Sequence, residues 1–145
     1  MKTRHSLVGL FPRREDAKVS LVTEKNLFLA KAIANGIVKR NMCHIKRHFT
    51  RYVTRRYTCK ATSVKFDEKG ALYRLRNAVL GPDDEDIYGH TDGKTILINS
   101  RFEMSFLDVV ATLVHESLHD FCLVRGRKMG CEREHVCMRG LGERC

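Results

Sequence analysis

The sequence has no long apolar run: none approaches the ~18 residues of a membrane-spanning helix. Proline is scarce, with only Pro12 and Pro82 among 145 residues, which argues against a proline-rich linker. No internal repeat is visible. Hydrophobic residues make up 43% of the chain, which is usual for a globular protein. We therefore expect a basic N-terminal arm over residues 1–22 and a single domain over residues 23–145. We also expect the protein to be a monomer that does not bind membranes.

A CxxC pair and an export signal are also missing. The first residues are basic, but the apolar stretch among them is too short for a signal peptide. We expect a protein of a reducing compartment, the cytoplasm or nucleus, with free thiols. The six cysteines are irregularly spaced, at Cys43, Cys59, Cys122, Cys131, Cys137 and Cys145. A second zinc site formed by the last three is the alternative, although their spacing is unusual for a zinc knuckle.

Acidic residues are rare in the first half of the chain. Residues 1–65 hold 16 Lys/Arg against 3 Asp/Glu (16 − 3 = +13), and residues 66–145 hold 11 against 14 (11 − 14 = −3). Such an imbalance favours contact with a polyanion, and a solvated basic face is the alternative. Phosphate contacts are predicted for the basic residues of one segment, Lys46, Arg47, Arg51, Arg55 and Arg56. Aromatic residues of that segment, Phe49, Tyr52 or Tyr57, either stack on bases or belong to the core.

Helices and strands follow one another in the order of a small α+β domain. Apolar residues at helical spacing predict two basic helices over residues 23–57, with a break near Asn41–Met42. Alternating apolar residues over 62–80 predict a hairpin, within a sheet over residues 60–99. A helix is predicted over residues 105–125, capped by Ser105 and followed by Gly126. A short helix is predicted within residues 131–142.

The segment ATLVHESLHDFC (111–122) places His115, Glu116 and His119 on a helix that is otherwise apolar nearly all round. At about 100° per residue, the two histidines lie within about 40° of each other. Burying them with a carboxylate would cost several kcal/mol without partners. A zinc ion bound by both histidines would compensate for this cost, and Glu116 would then be placed to act as a general base. Two core histidines with hydrogen-bond partners and a surface glutamate are the alternative.

Zinc requires a third protein ligand, and the downstream segment CEREH (131–135) offers several. His135 is the favoured candidate, and Glu134, Glu132 and Cys131 are the rivals. Asp108 and Thr112 lie upstream on the histidine side of the active-site helix, where they are candidates for orienting the ligands.

The span from about Tyr88 to Gly142 resembles a SprT-like zinc metallopeptidase domain of the Spartan and Wss type. The residues that carry the resemblance are the strand KTILIN (94–99), the helix TLVHESLHDFC (112–122) and the turn CEREH (131–135). The resemblance implies a minimal zincin-like fold whose small antiparallel or mixed sheet packs on a central HExxH helix. It also implies zinc ligands at His115, His119 and His135, with Glu116 as the catalytic base. The strand formed by Thr95, Ile96, Leu97, Ile98 and Asn99 is similar to the edge strand on which zincins bind substrate backbone.

The function expected from these residues is zinc-dependent cleavage of proteins associated with or crosslinked to DNA, the DNA being single-stranded or containing junctions. Two alternatives stay open. One is a nucleic-acid-binding module with a structural zinc, for which Cys131 would be a fourth ligand. The other is a regulator-cleaving zincin whose third ligand is a glutamate.

Overall fold

The structure is a computed structural model. It describes residues 24–57, 64–66, 75, 79–81, 88–91, 95–99, 102, 104–124 and 127–142. The predicted N-terminal arm over residues 1–22 and Cys59 and Cys145 lie outside the described residues. Within the described ranges, no helix combines the length and the apolar character needed to cross a membrane.

Two helices open the described part of the chain, α1 (Glu24–Arg40) and α2 (Met42–Tyr57). Asn41 separates them, as predicted. Its backbone N–H donates to Ile37 O and Val38 O, both at 3.2 Å, and its side-chain Nδ2 donates to Ile37 O at 2.7 Å. Its own carbonyl accepts a bond from Ile45 N at 2.9 Å, within α2. One asparagine therefore closes the first helix and contributes to the start of the second.

In the ranges that the structure describes, six short strands form two small sheets. The first sheet is mixed: β4 (Ile96–Asn99) lies between β2 (Val79–Gly81), which is parallel to it, and β3 (Gly89–Thr91), which is antiparallel. The second is antiparallel and has the order β1 (Val64–Phe66), β5 (Cys122–Val124) and β6 (Arg127–Lys128). The α+β class expected from the sequence is confirmed.

A buried helix, α3 (Phe106–His119), lies at the centre of the fold. Ser105 caps it, because its Oγ accepts a hydrogen bond from Asp108 N at 3.1 Å. Helix α1 packs along α3, and strands β3 and β4 contact α3 as well. Five apolar residues of α3 are fully or nearly fully buried: Val109, Val110, Leu113, Val114 and Leu118. The mixed sheet and α1 thus cover the helix that carries the HExxH residues.

The C-terminal end of α3 corrects the prediction of a helix over residues 105–125. The helix ends at His119, with Asp120 as its C-cap, and residues 122–124 form β5 instead. Phe121, between the two elements, is fully buried. A short apolar run is compatible with either a helix or a strand. Here pairing of β5 with β1, in the register Val64↔Val124, decides for the strand.

Pairing also corrects two predictions about the sheet. The described parts of the hairpin predicted over residues 62–80 differ from it, because β1 pairs with β5, β2 pairs with β4 and Leu75 is helical; the rest of that segment lies outside the described residues. The prediction that residues 95–99 contain an edge strand is also wrong. Leu97 is opposite Val79 on one side and His90 on the other, so β4 is the central strand of its sheet. On its antiparallel side the outer strand is β3.

The last helix, α4 (Cys131–Arg139), confirms the short helix expected in this segment. Gly130 precedes it with φ = 103°, a conformation that glycine adopts without steric cost. Helix α4 packs against α3. This contact brings residues from the end of the chain to the histidines of the central helix.

Candidate metal centre

Three histidines converge where α3 meets α4. His115 and His119 lie one turn apart on α3, and His135 comes from α4. One potential ligand atom from each lies within 4.8 Å of the other two. The ring centroids are 4.6–5.2 Å apart, and Nε2 of His135 is 2.9 Å from Nε2 of His119. We call these residues the histidine cluster; it can hold a metal ion.

The spacing of the ring nitrogens agrees with metal binding after small adjustments. Nitrogen ligands at about 2.0–2.1 Å from a tetrahedral zinc ion are about 3.4 Å from each other. The His119–His135 pair is slightly closer than this, at 2.9 Å, and the cluster as a whole spans up to 4.8 Å. Shifts of a few tenths of an ångström to about one ångström therefore bring all three nitrogens to the required separation.

Glu134 orients His119 from the side opposite the cluster. Its Oε1 lies 2.8 Å from Nδ1 of His119, and both side chains are buried. With Nδ1 as the donor, Nε2 of His119 keeps its lone pair directed towards the other histidines. Glu134, a rival for third ligand in the sequence, is thus placed to support one. Glu132, the other acidic rival, is exposed.

The second oxygen of Glu134 provides a test of whether a metal fits. Oε2 is buried and has no hydrogen-bond partner among the residues that the structure describes. A buried carboxylate beside a neutral imidazole is poorly compensated, since burial penalises the charged form. A dication bound through His119 would supply the missing positive charge one imidazole ring away. The donor set and this orphaned oxygen therefore both fit a divalent metal.

Glu116 lies next to the first histidine on α3 and is only 8% exposed. Burial raises the pKa of its carboxyl group, and the nearby charge of Asp120 raises it further. His115, His119 and His90 act in the opposite direction and lower this pKa. Glu116 is therefore a carboxyl group in a largely dry setting beside three imidazoles, where a proton can be accepted and returned.

His135 is partly exposed, as is His115, whereas His119 is buried. Burial lowers the pKa of His135, and the neighbouring His119, His115 and Arg139 lower it further, while Glu134 raises it. A lowered pKa favours the neutral imidazole, which is the form that binds metals.

A polar contact network supports the end of α3. Lys128 Nζ donates to the carbonyl oxygen of His119 and to Oδ1 of Asp120. Thr91 Oγ1 donates to the other carboxylate oxygen of Asp120 at 3.0 Å. A cation at the C-terminal end of a helix interacts favourably with its last carbonyl groups. Strands β3 and β6 are thereby joined to the residue that follows the second histidine.

Strand β3 passes close to α3. A Cβ added to Gly89 would lie 2.6 Å from Thr112 Cγ2 and 3.4 Å from Glu116 Cγ, so a glycine is needed for this approach. The hydroxyl of Thr112 donates to Asp108 O at 2.8 Å. Thr112, a sequence candidate for orienting the ligands, thus uses its hydroxyl proton within the helix. The carboxylate that contacts a histidine of the cluster is that of Glu134.

Cys131 is the thiol nearest to the cluster. Its Sγ lies 3.9 Å from Nε2 of His135, and the residue is exposed. Burial of the thiol group raises its pKa, and Glu134, Glu116 and Glu132 raise it further. Cys43 and Cys137 are free thiols as well, and Cys137 is fully buried. Among the described residues, metal-ligand groups gather only at the three histidines.

The basic residues predicted to contact nucleic acid divide between two faces of α2. Four of them line one concave surface of about 670 Å³ together with Cys43, Thr50 and Thr54. We call this four-residue set the α2 basic surface: Lys46, Arg47, Arg51 and Arg55. Arg56 instead faces α4 across a second groove. Of the aromatic candidates, Phe49 is fully buried and belongs to the core, while Tyr52 is half-buried and lines the second groove.

Comparison with known proteins leaves the site to be interpreted from its own geometry. No protein-family model, curated protein or solved structure matches the chain. The likeness to SprT-like peptidases thus stays a prediction carried by the HExxH residues and CEREH.

Sequence reasoning missed two parts of the site. One is the contact of Glu134 with His119. Ligating histidines commonly donate their second N–H to a carboxylate, so the glutamate directly before the candidate ligand His135 is a weak signal of such a contact. The other is the Lys128–Asp120–Thr91 network, which joins three separate elements and has no local pattern.

Proposed function

We propose that the chain is a zinc-dependent endopeptidase resembling SprT-like proteases, and that it acts on proteins associated with or crosslinked to DNA. The observation that carries the proposal is the convergence of three histidines beside Glu116 on a buried helix. His115, His119 and His135 would hold the zinc ion. When bound, zinc polarises the scissile carbonyl group and lowers the pKa of water, which supplies a nucleophile at neutral pH.

Glu116 moves the proton in the proposed reaction. Its carboxylate takes a proton from the attacking water and returns it to the leaving amine. The raised pKa of this carboxyl group supports the assignment, because a base that later acts as an acid works best with a pKa near the working pH. Glu134 keeps His119 in the tautomer that presents Nε2 to the zinc ion.

The substrate backbone would pair with β3, and not with β4 as the sequence predicts, because β4 is the central strand of the sheet. In the antiparallel register, His90 is opposite Leu97 and Tyr88 O accepts a bond from Asn99 N at 2.8 Å. Alternation along such a ladder directs the peptide groups of Gly89 away from β4. A Cβ at Gly89 would also lie 3.4 Å from Glu116 Cγ, so this part of β3 is close to the carboxylate. A peptide added to this strand would place its backbone beside the catalytic carboxylate.

Nucleic-acid binding is the second half of the proposal. Its support is the α2 basic surface, whose four residues are all exposed and line one concave face. Lysine and arginine side chains on such a face can neutralise successive phosphates. Binding of DNA would then bring an attached protein to the histidine cluster.

The test uses Glu116→Gln, which keeps the size of the side chain and removes the base. We expect purified wild-type protein to contain about one zinc ion per chain, as a single cluster requires. The variant should retain zinc and lose cleavage of a DNA-bound protein by a factor of at least about 10². Equal cleavage by the two proteins would contradict the proposal.

A second candidate is supported by Cys131, whose sulfur lies 3.9 Å from Nε2 of His135. If Cys131 completed a four-ligand site, the zinc would be structural and the protein would be a nucleic-acid-binding module. Cys131→Ala separates the two functions. Zinc retention with full cleavage supports the peptidase, whereas zinc loss together with unfolding supports the module.

A further inference from the structure

A second groove lies between α2 and α4, and its lining is mostly cationic. Its volume is about 450 Å³. We call it the arginine groove; Tyr52, Arg56, Glu132, Arg133, Val136 and Arg139 line it. Three guanidinium groups face one carboxylate, which leaves a net charge of +2. Two of the arginines come from the second half of the chain, whose overall balance is acidic.

The two walls of the groove are held in place by His48. Its Nε2 donates to the carbonyl oxygen of Cys137 at 2.8 Å, which ties α2 to α4. Its ring also stacks on Tyr52, with centroids 6.5 Å apart and planes at 27°. A Cβ at Gly140 would lie 2.7 Å from Cε1 of His48, so glycine permits this close approach. The groove is therefore built into the helix packing.

The groove also connects two surfaces already described. At about 100° per residue, Arg55 of the α2 basic surface lies about 60° from Tyr52 around the helix axis. On α4, Arg139 is one helical turn after His135, so the two lie on neighbouring parts of the helix surface. The arginine groove thus lies between the α2 basic surface and the histidine cluster.

We propose that the arginine groove binds phosphate groups of a single-stranded nucleic acid that passes from the α2 basic surface to the helix carrying His135. Guanidinium groups match phosphate oxygens in a two-point contact, and the half-exposed Tyr52 ring provides a surface for base stacking. A nucleic-acid strand fits this path better than a ligand with a single acidic side chain, because the cationic groups continue around α2 and a strand carries many phosphates. The inference rests on the nucleic-acid half of the proposed function and adds residues of α4 to it.

The test measures binding of a fluorescein-labelled oligothymidylate by anisotropy over a series of salt concentrations. Wild type is compared with Arg133→Gln/Arg139→Gln in the groove and Arg47→Gln/Arg51→Gln on the α2 basic surface. The control is Lys39→Gln/Arg127→Gln, which removes the same charge from exposed positions that line neither groove. Zinc content and melting temperature are measured for each variant.

We expect the groove variant to bind on the order of tenfold more weakly, or worse, at low salt. The slope of log K against log salt should fall by about 1.4, because each phosphate contact with a single strand contributes about 0.7. The control variant should keep the wild-type slope.

Other outcomes separate the failure of the groove from that of the function. If the groove variant matches the control while the α2 variant loses affinity, the groove assignment is overturned and nucleic-acid binding stands. If wild type does not bind the oligonucleotide, the nucleic-acid half of the function fails and the groove assignment with it. If an oligoglutamate peptide displaces the oligonucleotide from wild type but not from the groove variant, the groove binds acidic peptide and the proposal is wrong.

Chemical protection covers the case in which the groove variant does not fold. Wild-type protein is treated with phenylglyoxal, with and without oligothymidylate, and modified arginines are located by mass spectrometry. Protection of Arg133 and Arg139 but not Arg127 supports the proposal. Equal modification of all three with bound oligonucleotide overturns it.

Discussion

Replacing Glu134 with glutamine separates the support of a metal ligand from the stability of the fold. The carboxylate is 3% exposed and its Oε1 lies 2.8 Å from Nδ1 of His119. An amide oxygen can accept the same hydrogen bond but carries no negative charge. A carboxylate that supports a metal-bound histidine typically improves metal affinity by a factor of about 10–100, or about 1.4–2.7 kcal/mol. Glu134→Gln should weaken zinc binding by that amount.

The same substitution should have a different effect without metal. Within the described part of the chain, Glu134 Oε2 is buried without a hydrogen-bond partner, a costly setting for a carboxylate when no metal is bound. A neutral amide costs less to bury than a carboxylate. In the presence of a chelator, Glu134→Gln should therefore be at least as stable as wild type. The increase in unfolding free energy on adding excess zinc should be smaller by about 1.4–2.7 kcal/mol.

Zinc affinity by competition with a chromophoric chelator and urea unfolding with and without zinc measure both effects. His135→Ala is the companion variant, and it should lose zinc far more severely than Glu134→Gln. The reverse order would make the glutamate a ligand and refute the reasoning, as would unchanged zinc affinity in Glu134→Gln. Loss of stability without zinc would show that the carboxylate stabilises the fold itself.

Two further substitutions test how the site is held. Gly89→Ala should destabilise the protein by about 1–3 kcal/mol in urea unfolding, because its Cβ would lie 2.6 Å from Thr112 Cγ2. Gly36→Ala is its control. Gly36 lies inside α1, where a Cβ would lie 3.2 Å from Nη1 at the end of the flexible Arg40 side chain. Alanine at this position should stabilise the helix by up to about 1 kcal/mol. Equal effects at the two glycines would contradict the close approach of β3. Ser105→Ala should cost about 1 kcal/mol by removing the cap of α3, whereas Ser105→Asp should retain most of the stability in thermal unfolding.

Local patterns in the sequence account for the helical part of the fold. The break at Asn41, the cap at Ser105 and the short helix that begins near Cys131 were all predicted. Each depends on residues within one or two turns, because helical hydrogen bonds join residues four positions apart. The HExxH spacing likewise places His115 and His119 together through helix geometry alone.

The identity and order of the strands depend on pairing between residues that are distant in the sequence. Local pattern predicts that β5 is the end of α3, whereas its partner β1 lies far earlier in the chain, 60 positions in the pair Val64↔Val124 (124 − 64 = 60). Strands of three or four residues carry too little pattern to specify their neighbours. The sequence therefore predicts an edge strand at residues 95–99, whereas β4 is the central strand of its sheet. Which strand can receive a substrate is therefore a property of the folded sheet.

Residue types and their local spacing specify the chemical groups of this protein: the HExxH residues on an apolar helix, a third histidine downstream and a basic first half. How those groups meet depends on the packing of the helices. Packing of α4 on α3 brings His135 to the other histidines and turns Glu134 from a rival ligand into a partner of His119. Packing of α4 near α2 forms the arginine groove. The physical reason is that ligand spacing within a helix is local, whereas contact between helices depends on the core that they bury together.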